Sequence, residues 1–120
     1  MDSDFRPLCE WEASILSRFL REEFPGREEL AAQVRETSVR TIDEDGGLAL
    51  RTASTLPAPV KYRIPIEGSC LDLDGVTLHV LLHVVGGFVA ELELFKDDGS
   101  RVKQPPAAEE LEIFCPTSQE

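Results

Sequence analysis

The sequence predicts an α+β domain: two N-terminal helices packed on one face of an antiparallel β-meander of five to six strands. Three observations carry that expectation. Before Thr37, apolar residues recur at three- and four-residue spacing in two blocks. After Thr37 they alternate with polar residues at period two. Four turn signals punctuate the second part: Asp45-Gly46-Gly47, Asp74-Gly75, Gly86-Gly87 and Asp98-Gly99.

The first helix is expected over residues 7–24. Ala13, Leu16, Leu20 and Phe24, flanked by Ile15 and Phe19, make one apolar stripe. Pro7 suits a first turn, Cys9 and Glu12 have the spacing of a capping box, although cysteine is a poor cap, and Pro25-Gly26 ends the helix. A second helix follows over about 27–36, with Leu30, Ala31 and Val34 inward and Glu28 and Glu29 at its positive end. Strands are expected at about 38–43, 47–53, 61–69, 76–85 and 88–96, with a last one near 110–114. Pro65 demotes its run to an edge or broken strand. Residues 1–120 read as a single domain, with 1–5 and 115–120 frayed.

The stretch HVLLHVVGGFVAELELF, His79 to Phe95, holds both histidines and fixes its own faces by alternation. A two-residue Gly-Gly loop pairing Val85 with Phe88 mixes apolar and polar residues on both faces. A three-residue loop pairs Val84 with Phe88 and gathers Leu78, Val80, Leu82, Val84, Phe88, Ala90, Leu92 and Leu94 on one face. His79, His83, Glu91 and Glu93 then share the other. A one-residue slip exchanges faces, so burial selects the three-residue loop. In that register His79 lies opposite Glu93, and His83 lies diagonal to Glu91.

That quartet is the candidate ligand or interface face. Residues four apart on a strand stand roughly 13 Å apart, so the two histidines cannot share one ion with bonds of about 2 Å. A single His–Glu pair offers two ligands only, and cross-strand pairing on a wet sheet face accounts for the same residues. No catalytic residue, metal or cofactor is assigned. Asp72-Leu-Asp-Gly75 lacks the third acidic position and the distal glutamate of a calcium loop and reads as a hairpin turn. Cys9, Cys70 and Cys115 lack the clustering of a zinc site or a disulfide framework and read as free thiols. No nucleophile elbow occurs, and Gly86-Gly87 joins two strands rather than opening a phosphate-binding helix. Trp11 and Tyr62 read as core residues.

Charge narrows the partners. Twenty-three acidic against twelve basic side chains give a net charge of −11. That excludes a concentrated basic surface for nucleic acid and disfavours an anionic membrane. Arg35, Arg40, Arg51, Lys61 and Arg63 read as charges that guard a sheet edge. The N-terminal MDSDFRPLCEWEAS has no apolar h-region, so no signal peptide is expected and the location is cytoplasmic by default.

Phe24-Pro-Gly-Arg-x-Glu-Leu30, Asp72-x-Asp-Gly75, His79-Val-Leu-Leu-His-Val with Gly87 and Glu91-Leu-Glu, and Asp98-Gly99 together resemble a family of short uncharacterised bacterial proteins, a domain of unknown function. The resemblance runs over most of residues 6–103. It implies a bacterial cytosolic single-domain protein and brings no activity, cofactor or site. The expected function is therefore a small acidic protein-binding or regulatory module, immunity-protein-like, that meets a partner with a basic surface. The alternatives are a small-ligand protein or enzyme using His79, His83, Glu91 and Glu93 under a roofing loop (55–60 or 104–110), and a homodimer through Leu81, Val85, Val89 and Phe95.

Overall fold

The computed structural model describes residues 4–116; of the ends expected to fray, 1–3 and 117–120 lie outside the described residues. Two helices, α1 (Glu10–Phe19) and α2 (Arg27–Val34), precede β1 (Thr37–Thr41), β2 (Leu48–Thr52), β3 (Ile66–Leu71), β4 (Thr77–Val85) and β5 (Phe88–Lys96). A 3₁₀ turn, Ala108–Glu110, leads into β6 (Glu112–Phe114). All strand pairs are antiparallel, in the order β1-β2-β5-β4-β3-β6. The consecutive strands β3, β4 and β5 form the expected meander. The β1–β2 hairpin joins it at β5 through only two residue pairs, Leu48↔Leu92 and Ala49↔Glu91, and β6 closes the far edge on β3.

Helix α1 is shorter than its stripe suggests. Arg6 bridges Val39 through both backbone hydrogen bonds, so the chain stays extended past Pro7 and turns helical only after Cys9. Glu12 accepts from the Cys9 amide at 2.8 Å, so one arm of the capping box forms despite the cysteine. The same carboxylate, almost fully buried, takes a bidentate pair of bonds from Arg6 at 2.9 Å each. Ile15, Leu16 and Phe19 are fully buried against the sheet. Phe19 lies where a side chain on β3 would stand: a Cβ on Gly68 would come within 3.2 Å of its ring, and Gly68 leaves the space.

Strand β3 begins at Ile66, directly after Pro65, which cannot donate to the ladder. One face of the sheet is the core, built from Val39, Leu48, Leu50, Ile66, Leu78, Val80, Leu82, Val84, Val89, Leu92 and Leu94 beneath α1 and α2. Among the described residues, the other face carries no helix. Phe5 lies between two guanidiniums at its β1–β2 end, Arg51 at 4.0 Å and Arg40 at 5.3 Å from the ring centroid.

The β4–β5 hairpin corrects the predicted register. Its loop has two residues, Gly86 and Gly87, at φ of 61° and 87°, and Val85 pairs with Phe88. A bulge then shifts the ladder between His83 and Val84, where Ala90 is the additional residue. Val84 pairs with Val89 rather than Phe88, and Val89 is buried while Phe88 and Ala90 are only half-buried. Val89 therefore leaves the proposed dimer face for the core. Beyond the bulge the ladder differs from the predicted one by two residues, which preserves faces and changes every partner. His79 pairs with Phe95, Leu81 with Glu93, and His83 with Glu91.

The two glycines are not equivalent. A Cβ at Gly87 would meet Pro57 Cβ at 2.6 Å and the Ala58 amide nitrogen at 3.1 Å, whereas one at Gly86 meets nothing within 4 Å. We expect Gly86→Ala to cost ~1–2 kcal/mol for the left-handed backbone alone. Gly87→Ala should cost clearly more, because backbone must also move. Urea midpoints of the two variants check this, and equal midpoints would remove the role given to the 57–58 contact.

Candidate functional site

The face opposite the helices is set by strand alternation. On its strands β3 to β5 the exposed or half-buried residues are Glu67, Ser69 and Leu71, the odd positions from Thr77 to Val85, and Glu91, Glu93 and Phe95. All four residues of the predicted quartet lie here, but in two separate networks. His79 Nε2 hydrogen-bonds Asp97 Oδ1 at 2.6 Å, and its ring stacks on Phe95 with centroids 4.9 Å apart. His83 Nε2 meets Glu93 Oε1 at 2.8 Å, and Glu91 is its cross-strand partner. The predicted opposition of His79 to Glu93 is thus replaced by Phe95 and Asp97, a consequence of the two-residue slip.

The same slip overturns the limit of two ligands. One ligand atom each from His83, Glu91 and Glu93 lie within 4.8 Å of one another. A third neighbour escaped the sequence reading: Arg63 Nε donates to His83 Nδ1 at 3.0 Å. Since Nδ1 accepts there, the hydrogen on the neutral ring belongs to Nε2, which donates to Glu93. Arg63 reaches this place because its carbonyl accepts from the Val84 amide at 2.7 Å, one residue along β4. It therefore belongs to the sheet face and not to an edge.

Neither expected roof covers the quartet. Ala58 is buried in the core cluster, and its amide bonds the Gly87 carbonyl at 2.8 Å. The 104–107 segment lies against Cys70, Asp72 and Leu78. A cavity of about 260 Å³ opens elsewhere, between Phe24, Pro25, Tyr62, Pro65, Cys115 and Pro116. Tyr62 thus lines a cavity, whereas Trp11 packs against the core as expected. Burial pushes the Cys70 thiol up, helped by Glu110 and Asp72, and burial and Glu22 do the same to Cys115. That is the opposite of what a thiolate nucleophile needs.

The most strongly perturbed charges lie on the other face. Lys96 shares the inward parity of Leu92 and Leu94, and its ammonium is wholly buried. It donates to Asp72 Oδ2 at 2.9 Å, to Asp74 Oδ2 at 2.6 Å and to the Arg101 carbonyl at 3.2 Å. Burial works to raise the Asp72 carboxyl, but amide bonds from Lys103 and Leu73 together with Lys96 hold it down at about 2. Burial likewise works against the charged lysine, and the two aspartates outweigh it and raise its pKa. The Lys96 ammonium points at structural partners, so the cluster ties the β3–β4 turn to the loop after β5. The predicted hairpin turn at Asp74-Gly75 is there, and its carboxylates have this further task.

A family model described as "Domain of unknown function (DUF6984)" matches residues 5–106. The chain belongs to this family. The matched stretch takes in both helices, β1 to β5 and the Lys96 cluster of this DUF6984 domain, and stops short of β6. No curated protein and no solved structure matches the chain. No helix among the described residues is long and apolar enough to cross a membrane.

Proposed function

We propose that this DUF6984 domain is a non-enzymatic cytoplasmic binding module, immunity-protein-like, which offers its open sheet face to a partner protein with a basic surface. One observation supports the reading most: helices and both proline loops pack on the core side, leaving a face where acids and exposed apolar side chains interleave. Phe95, Phe114, Leu71 and Val85 are 39%, 57%, 64% and 48% exposed. Glu67, Glu91, Glu93 and Glu112 stand between them on neighbouring strands. A net charge of −11 adds a field that steers a basic partner toward the domain and keeps copies of it apart.

The test is capture from a native lysate by three tagged forms: wild type, Glu91→Lys/Glu93→Lys on the sheet, and Glu28→Lys/Glu29→Lys on the exposed first turn of α2. A partner held by the first and third, released by salt and lost from the second is the expected result. Loss from both charge-reversed forms, or no partner at any salt concentration, counts against it. A dimer in light scattering that the sheet variant dissolves would make a second copy the occupant and end the basic-partner reading.

A further inference from the structure

The geometry points to a divalent transition-metal site of the zinc class formed by His83, Glu91 and Glu93, with Arg63 as the residue that holds its affinity down. Ligands of one ion bonded at ~2.0–2.2 Å lie about 3–3.5 Å apart. The three donors, already within 4.8 Å of one another, close on an ion by side-chain movements of about an ångström. They stand on adjacent paired strands, His83 opposite Glu91 and Glu93 two residues along the same face, so backbone pairing fixes their spacing. An imidazole with two carboxylates suits zinc, cobalt, nickel or copper better than calcium or magnesium, which prefer oxygen ligands alone. Glu93 is 39% exposed, leaving the fourth position to water.

Arg63 sets the unusual feature. A metal on Nε2 displaces the hydrogen that now bonds Glu93, and the neutral ring then carries it on Nδ1. Metal-bound histidines direct that hydrogen at an acceptor. Here Nδ1 meets the Arg63 Nε–H, donor against donor, at the 3.0 Å contact. Binding therefore requires the guanidinium to swing away, and its positive charge opposes the ion as well.

Titration of the purified chain with zinc chloride, followed by calorimetry, tests this without any partner protein, so its outcome is independent of the binding role proposed above. One equivalent is expected to bind, cobalt chloride should give visible d–d absorption, and magnesium chloride should give no heat. His83→Ala and Glu93→Gln should weaken zinc at least about tenfold. Arg63→Gln, whose amide oxygen can accept from Nδ1–H, should tighten it about tenfold, within the range such outer partners command. Cys9→Ser and His79→Ala should leave it unchanged. Absence of zinc binding, or affinity indifferent to His83→Ala, overturns the site; affinity unchanged or weaker in Arg63→Gln overturns the role of Arg63.

Discussion

Lys96→Met should be among the most damaging single substitutions in this chain, lowering the melting temperature by about 10–20 °C, the scale of a broken buried ion pair in a domain of this size. Methionine keeps the length and apolar stem but leaves Asp72, whose side chain is fully buried, with its charge uncompensated. The triple variant Lys96→Met/Asp72→Asn/Asp74→Asn should recover part of the loss, because neutral amides remove the stranded charge. Differential scanning calorimetry of the two distinguishes an ion-pair effect from simple loss of packing: if the triple variant melts no higher than the single one, the electrostatic account is wrong. The same cluster sets the acid limit. A carboxyl held at about 2 in the folded state, below its ordinary 3.8, stabilises the fold above pH 4, and that contribution disappears as pH falls from about 4 to 2. Glu12, held down by Arg6 and the Cys9 amide against the effect of burial, adds to the same slope. Asp72→Asn should flatten the urea midpoint over that window. Lys96, its pKa raised, contributes fully below its ordinary 10.5 and loses that contribution only as pH rises past its folded value.

The features legible in the sequence are those that short-range periodicity encodes. Two helical stripes, period-two alternation and glycine turns give the two helices and six strands, and alternation alone puts His79, His83, Glu91 and Glu93 on one face. Partners across the sheet are another matter. A three-residue loop, and a two-residue loop followed by a bulge, both produce a clean core face, so burial cannot choose between them. The difference is two residues of register, and with it the identity of the site: Glu91 comes opposite His83, and Asp97 rather than Glu93 reaches His79. Strand order was equally hidden, since β2 meets β5 through two residue pairs that no turn signal marks. The Lys96 cluster did leave a trace. A lysine in phase with Leu92 and Leu94 must point into the core, where only a nearby acid makes it tolerable, and Asp72 stands two residues beyond Cys70, whose partner Leu78 pairs with Lys96.

What selects the bulged register lies far away in sequence, and it leads to the last expected result. Gln33, fully buried on α2, accepts from the Val89 amide at 3.0 Å and donates to the Gly87 carbonyl at 2.8 Å and the Leu56 carbonyl at 3.0 Å. Its own carbonyl accepts the hydroxyls of Thr37 and Thr52, at 2.7 and 2.9 Å, so the residue joins α2 to both hairpins and the 53–60 loop. By fixing the Val89 amide beside the bulge, it holds Val89 inward and Glu91 against His83. Gln33→Leu removes the partner of the Val89 amide and of the Leu56 carbonyl, while Gly87 retains the Ala58 amide. The orphaned buried Val89 amide alone costs ~1–3 kcal/mol, and the part-buried Leu56 carbonyl adds less. Gln33→Glu keeps the acceptor for Val89 but buries a charge facing two carbonyls. It should be at least as unstable at neutral pH and recover as pH falls and the carboxyl protonates, since a carboxyl raised by burial stabilises only in its neutral form. Hydrogen exchange at Val89 and Ala58 should accelerate in both variants at neutral pH. Urea midpoints indistinguishable from wild type would show that the register is held by the Gly86-Gly87 turn alone.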